Sequence, residues 1–171
     1  MDDLVRGLQA GDPAAFDRLV RDHGDALYRF VRRMAGERWA DDLVQETFIR
    51  VHRSVGSFVP EKGIGSWLFA IANHLCVDHL RRRRLERLPE EAPGARDPAP
   101  PEALEGLDLK EAILKAVSEL PVDQRQVFLL REEGGLSFRE IAEIAGCPLN
   151  TALGRMHYAM ENLRKSLKAY R

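Results

Sequence analysis

The side chains that could carry covalent chemistry are few and scattered. His23, His52, His74, His79 and His157 have no paired nucleophile, acid or metal motif beside them, and no phosphate-binding glycine loop occurs. Cys76 lies near His74 and His79, but three such residues on one helix do not converge on a metal, and Cys147 stands alone. Two reduced, mostly buried thiols are expected, with no metal and no cofactor. Charge chemistry remains. Arg81, Arg82, Arg83 and Arg84 place cations on every side of a helix end, as a polyanion would require. Between Asp41 and Arg53, an inward face of Leu43, Val44, Thr47 and Phe48 leaves Asp42, Gln45, Glu46 and Ile49, with Asp41 just before them, as an outward acidic stripe around an apolar centre. Such a stripe suits a basic partner helix.

The elements that must position these groups all read as helices. Asp12-Pro13 is a helix start, a capping Asp followed by Pro at the first helical position. Phe16, Leu19, Val20, Leu27, Phe30 and Val31 then recur at helical spacing, and Trp67, Leu68, Ile71 and Leu75 do so in a helix running to Arg84. Gly56 to Ser66, with three glycines and a proline, reads as a loop. Pro89 to Pro101 holds five prolines and no large apolar side chain, so it cannot bury enough surface to offset its ordering entropy. The division that follows is a helical domain over 1–88, a flexible proline-rich acidic linker over 89–107, and a second helical domain over 108–171. The fold class expected is all-α, in two small domains.

Bulk properties agree with a soluble protein. Hydrophobic residues make up 44% of the 171, charged residues 31%, and no apolar run is long enough to cross a membrane. The start, Met1-Asp2-Asp3-Leu4, lacks a secretory pattern, so a cytoplasmic location is expected. The net charge of −1 hides its distribution: residues 1–88 carry 15 basic and 13 acidic side chains, residues 89–107 carry 1 and 5, and residues 108–171 carry 10 and 9. Any nucleic-acid contact must come from local patches.

The last third has a recognisable order. Ile113, Val117 and Leu120 define a helix stopped by Pro121; a second helix through Val127, Phe128 and Leu130 ends near Gly134-Gly135. Ser137 and Glu140 form a capping box for a short helix that Gly146 breaks. Pro148 then opens a long helix with Leu149, Ala152, Met156, Ala159, Leu163 and Leu167 on its packed side. A short capped helix, a glycine turn and a longer helix make a helix-turn-helix, whose second helix would enter a major groove with Thr151, Gly154, Arg155 and Tyr158 outward. An ordinary bundle with solvated charges satisfies the same pattern.

Leu120-Pro121-Val122-Asp123-Gln124-Arg125-Gln126-Val127-Phe128-Leu129-Leu130-Arg131-Glu132, followed by Gly135-Leu136-Ser137-Phe138-Arg139-Glu140-Ile141-Ala142-Glu143, resembles region 4 of sigma-70 family transcription factors. The resemblance implies a domain that binds the minus-thirty-five promoter element, through Arg139, Asn150, Thr151, Gly154, Arg155 and Tyr158, and sits on the polymerase β flap. Three positions commonly basic in the family are Leu153, Tyr158 and Met160 here. Each lost phosphate contact weakens the salt-dependent part of binding.

Trp39-Ala40-Asp41-Asp42-Leu43-Val44-Gln45-Glu46-Thr47-Phe48-Ile49-Arg50-Val51 and the run from Ser66 to Arg84 resemble sigma region 2. The first implies docking of Asp41, Asp42, Gln45, Glu46 and Ile49 on the β′ clamp of core RNA polymerase. The second implies capture of the minus-ten strand by Asn73, His74 and Arg81 to Arg84, with Phe58 in the preceding loop as a stacking surface; Trp67 is better placed in the core. Asn73-His74 stands where the family often has Arg-Asn.

Together these residues resemble a small sigma factor of the extracytoplasmic-function type. It would direct promoter-specific transcription initiation, catalyse nothing itself, be held by an anti-sigma partner, and be a monomer in isolation, without membrane insertion. The other reading is a sigma-like protein-interaction module, with weakened DNA contacts, that binds polymerase or a regulator. A plain helix-turn-helix repressor leaves the first 88 residues unexplained.

Overall fold

A computed structural model describes residues 3–87 and 108–170, so the whole stretch 89–107 expected as a linker lies outside the described residues. Among the described residues eight α-helices run in the order α1 (Asp3–Gln9), α2 (Pro13–Ala35), α3 (Glu37–Ser54), α4 (Ile64–Glu86), α5 (Leu109–Ser118), α6 (Val122–Glu132), α7 (Phe138–Ala145) and α8 (Leu149–Ser166). No strand occurs among the described residues. The all-α expectation holds.

Local chemistry sets the boundaries. Asp12 caps α2, its carboxylate accepting from the Ala14 amide at 3.0 Å, with Pro13 in the first turn. Ser137 and Glu140 close the expected capping box on α7, and Gly146 ends that helix in the left-handed conformation, φ 64°. The loop expected over Gly56 to Ser66 is shorter: two tight 3₁₀ turns, Val55–Ser57 and Pro60–Lys62, fill it, and α4 already begins at Ile64. The amphipathic α1, with Leu4, Val5 and Leu8 buried, had no strong sequence signal because a seven-residue helix gives too few repeats.

α1 to α4 form one helical set and α5 to α8 another, each around its own apolar seam. The two seams meet. Buried residues of both, from Leu19, Phe30 and Leu68 to Val127, Leu130 and Ile141, belong to one continuous core. In the first set, Phe30 and Phe69 meet edge to face with centroids 5.4 Å apart, an arrangement worth about 0.5–1.5 kcal/mol beyond burial alone. Gly134, just past α6, lies against that same Phe69. A Cβ there would sit 2.7 Å from the Leu130 carbonyl of the preceding turn, so the chain leaves α6 at this point only with a residue that lacks one.

Cys76 is fully buried in this core and burial pushes its thiol up to about 12. Cys147 is only partly covered, and both cysteines are free. Under native conditions at pH 8, a thiol-specific reagent is therefore expected to label Cys147 while Cys76 reacts only after denaturation; counting modified thiols by mass checks this.

Candidate polymerase and nucleic-acid interfaces

α3 is anchored by Ala40, Thr47 and Val51, all buried, with Leu43, Val44 and Phe48 partly so. Thr47 lies in the apolar seam without an orphaned hydroxyl because its Oγ1 donates to the Leu43 carbonyl at 2.7 Å. That seam turns Asp41, Asp42, Gln45 and Ile49 to solvent, Ile49 at 36% exposure. Glu46 is partly covered and accepts from Arg50 Nε at 2.9 Å. The acidic stripe with an apolar centre is thus present on one face, with Glu46 partly neutralised by its neighbour one turn on.

α4 presents the second surface, and here the side chains divide. His74, Arg81, Arg82 and Arg84 are exposed. Arg81 leans back to Asp78 at 3.2 Å. Arg83 instead folds over the Trp39 ring, 5.4 Å from its centroid, while Arg38 approaches the same ring at 5.0 Å. His79 lies 4.7 Å from Trp39, centroid to centroid; burial, and after it Arg83, lower its pKa, so this imidazole is neutral at pH 7. Only part of the arginine quartet therefore forms an open track.

Two expected site residues sit elsewhere. Phe58 is 5% exposed, its ring packed on Trp67 with centroids 4.9 Å apart, so it is a core contact here and not a stacking surface. The tight turn at Val55–Ser57 rolls it inward. Asn73 is 1% exposed, and its Oδ1 accepts from Gln126 Nε2 of the other helical set at 3.0 Å. A buried amide left unpaired costs about 1–3 kcal/mol, so this bond ties the two sets together.

The joint has further polar ties that the sequence did not disclose. Glu133 has a side chain only 7% exposed and pairs with Arg29 at 2.8 Å and with Arg33 of the same α2 face. Arg125 donates to the Met34 carbonyl at 3.1 Å, and burial lowers its pKa. At the rim, Lys62 lies 4.0 Å from Glu143, both well exposed. The spacing of Arg29 and Arg33, one turn apart, is the one signal that α2 carries a paired cationic face; nothing in the sequence says that a glutamate one hundred residues on meets it.

α8 carries the third surface. Ala152, Ala159 and Leu163 are buried, and α7 braces the helix from behind. Asn150, Thr151 and Tyr158 are exposed, Gly154 is partly so with open space over its Cα, and Arg139 is exposed on α7. Arg155 is drawn aside: its guanidinium pairs with Asp123 at 3.1 Å, leaving 26% of the side chain exposed. Leu149, expected on the packed side, is the first residue of α8 and is 39% exposed.

The comparisons with known proteins fall on the same blocks. Residues 19–86 match Sigma-70 region 2 and residues 110–163 match Sigma-70, region 4. The ECF RNA polymerase sigma factor SigW of Bacillus subtilis is 31% identical over 177 aligned positions, which cover 96% of this chain and 95% of that protein. The chain belongs to the sigma-70 family, as an extracytoplasmic-function sigma factor. The corresponding SigE of Mycolicibacterium smegmatis is 39% identical over 92% of the chain, which spans 64% of that protein's own length. Among solved structures, the sigma factor resembles CnrH in complex with the cytosolic domain of CnrY, with TM-score 0.73, 27% identity and coverage of 97% and 96% of the two chains. It resembles RpoE of Bartonella quintana in complex with the anti-sigma factor NepR equally well, at TM-score 0.74 and 28% identity over 91% and 98%. Both likenesses run through the two helical sets of the sigma factor.

Proposed function

We propose that this sigma factor recruits core RNA polymerase through the exposed α3 stripe, engages the minus-ten strand with α4 and its arginines, and reads the minus-thirty-five element with α8. The observation that supports this best is the acidic, apolar-centred stripe of Asp41, Asp42, Gln45 and Ile49 on a helix whose opposite face is fixed in the core. It offers a rigid, pre-ordered surface to a basic helix such as the β′ clamp, with the flap of the β subunit taking the region 4 block. Melting would draw on binding energy for an exposed base rather than on any covalent step, so the protein is a non-enzymatic, cytoplasmic initiation factor. The domains proposed are 1–88 and 108–171, with 89–107 as the connector.

The packed joint adds a condition. Asn73 reaches a minus-ten base only when Gln126 releases it, so promoter engagement is coupled to separation of the two helical sets. An anti-sigma partner that favours the packed arrangement would silence the factor by shifting this equilibrium, since a ligand moves a two-state balance only by its differential affinity. The likeness of this chain to sigma factors solved together with such partners supports that reading.

The test is assembly. Mixed with bacterial core polymerase, the protein is expected to co-elute with it in size-exclusion chromatography, and the complex is expected to hold promoter DNA with an affinity that falls as salt rises. Failure to co-elute under any salt would overturn the proposal.

A further inference from the structure

α8 faces outward with a set of side chains that carries almost no charge. Leu153, Gly154, His157 and Tyr158 lie three, four, seven and eight residues after Asn150, so the five share one side of the helix. Leu153 is 42% exposed and Tyr158 58% exposed. Leu153 therefore does not join the packed seam of Ala152, Ala159 and Leu163; it stands on the open face, beside the notch that Gly154 leaves. Between Leu149 and Tyr158 the one arginine or lysine is Arg155, and its guanidinium is held by Asp123. A helix offered to DNA in this state has neither a free guanidinium for a guanine edge nor a cation for a phosphate along that stretch. Its projecting group is a branched hydrocarbon set among polar neighbours.

The major groove presents one apolar feature, the C5-methyl of thymine. We propose that Leu153 is a specificity-determining residue that packs on a thymine methyl in the upstream promoter element, so that the element is selected there by shape and methyl burial instead of by a basic side chain. The inference rests on the reading of α8 as the minus-thirty-five helix and adds the base and the residue. A leucine in contact with phosphates would lose hydration for nothing. Placed against a methyl group, it exchanges its exposed surface for an apolar contact, and removing that methyl is expected to cost roughly fourfold in affinity.

The experiment is a thymine-to-deoxyuridine scan, which deletes one methyl at a time and leaves every hydrogen-bonding edge in place. Holoenzyme assembled from core polymerase and the full chain is bound to a promoter found by selection, and each thymine of the upstream element is replaced in turn. At one thymine or two neighbours the wild type is expected to lose about fourfold in affinity, and Leu153→Ala is expected to be indifferent to the same replacement. Selection repeated with Leu153→Lys is expected to drop thymine at that position and to steepen the dependence on salt. An upstream element without thymine, a scan with no sensitive position, or a sensitivity that survives in Leu153→Ala would each overturn the proposal while leaving promoter recognition intact. A holoenzyme with no selective promoter binding at all would instead remove the reading of α8 on which it rests. Leu153 is exposed, so neither substitution should disturb folding, and unchanged helicity verifies that.

Discussion

Glu133→Arg is expected to open the joint between the two helical sets. The native carboxylate sits at the end of α6 with a side chain 7% exposed, accepting from Arg29 at 2.8 Å and from Arg33. Reversing its charge leaves three cations together in a largely enclosed place. Removing one partner of a buried pair costs about 3–5 kcal/mol, and because the Arg29 side chain is 48% exposed, the low end applies. Each 1.4 kcal/mol is a factor of about ten, so even that low end shifts the packed-to-open balance by roughly a hundredfold. The helices of each set keep their own seams, and circular dichroism should be unchanged. A compact chain of this length has a radius of gyration of about 16 Å; small-angle scattering should give that value for the wild type and a clearly larger one for the variant. Transcription per molecule of added sigma factor should rise, because Asn73 no longer waits on Gln126. A larger radius with unchanged activity would show that the joint does not limit promoter engagement.

Asp42→Arg acts on the opposite side of the first set and should do the reverse to activity. Asp42 is exposed and makes no ion pair among the described residues, so its loss should alter stability by no more than about 0.5 kcal/mol. On a docking stripe, however, a reversed charge faces the partner's own cations. Interface hot spots cost about 2 kcal/mol or more when altered, and as one of them Asp42 would be worth roughly thirtyfold in affinity for core polymerase. Fluorescence titration with labelled protein checks this. Asp17→Arg, an exposed reversal on α2 and outside the stripe residues, should bind as the wild type does. Equal weakening by both would mean that a diffuse charge effect, and not a docking site, holds the polymerase.

Sequence and structure differ most where contacts span long separations. Caps and turns were legible because they are local: Asp12, Ser137 with Glu140 and Gly146 each act within four residues of themselves. The α3 stripe was legible for a related reason, since an apolar face of Leu43, Val44, Thr47 and Phe48 dictates what must point away. Phe58 was misjudged because a lone aromatic in a glycine-bounded stretch looks available, and only the 3₁₀ turns at Val55 and Pro60 reveal that it folds onto Trp67. Asn73 lies on the expected helix but is buried against Gln126 in this arrangement; a polar side chain between apolar neighbours can face a ligand or another part of the chain, and periodicity does not distinguish the two. The joint itself was invisible. Glu133 lies 104 positions from Arg29, and no local rule pairs them. Arg155 is a milder case: helical geometry put it outward, while its capture by Asp123 depends on how α6 and α8 meet.

The most direct measurement is run-off transcription by bacterial core polymerase from a pool of promoter fragments, with and without this protein. The expected result is a small set of transcripts that appear only with the protein and whose upstream regions share two motifs at a fixed spacing. Binding to core polymerase without any selective transcript, across varied salt and templates, would contradict promoter-directed initiation and favour a polymerase-binding interaction module.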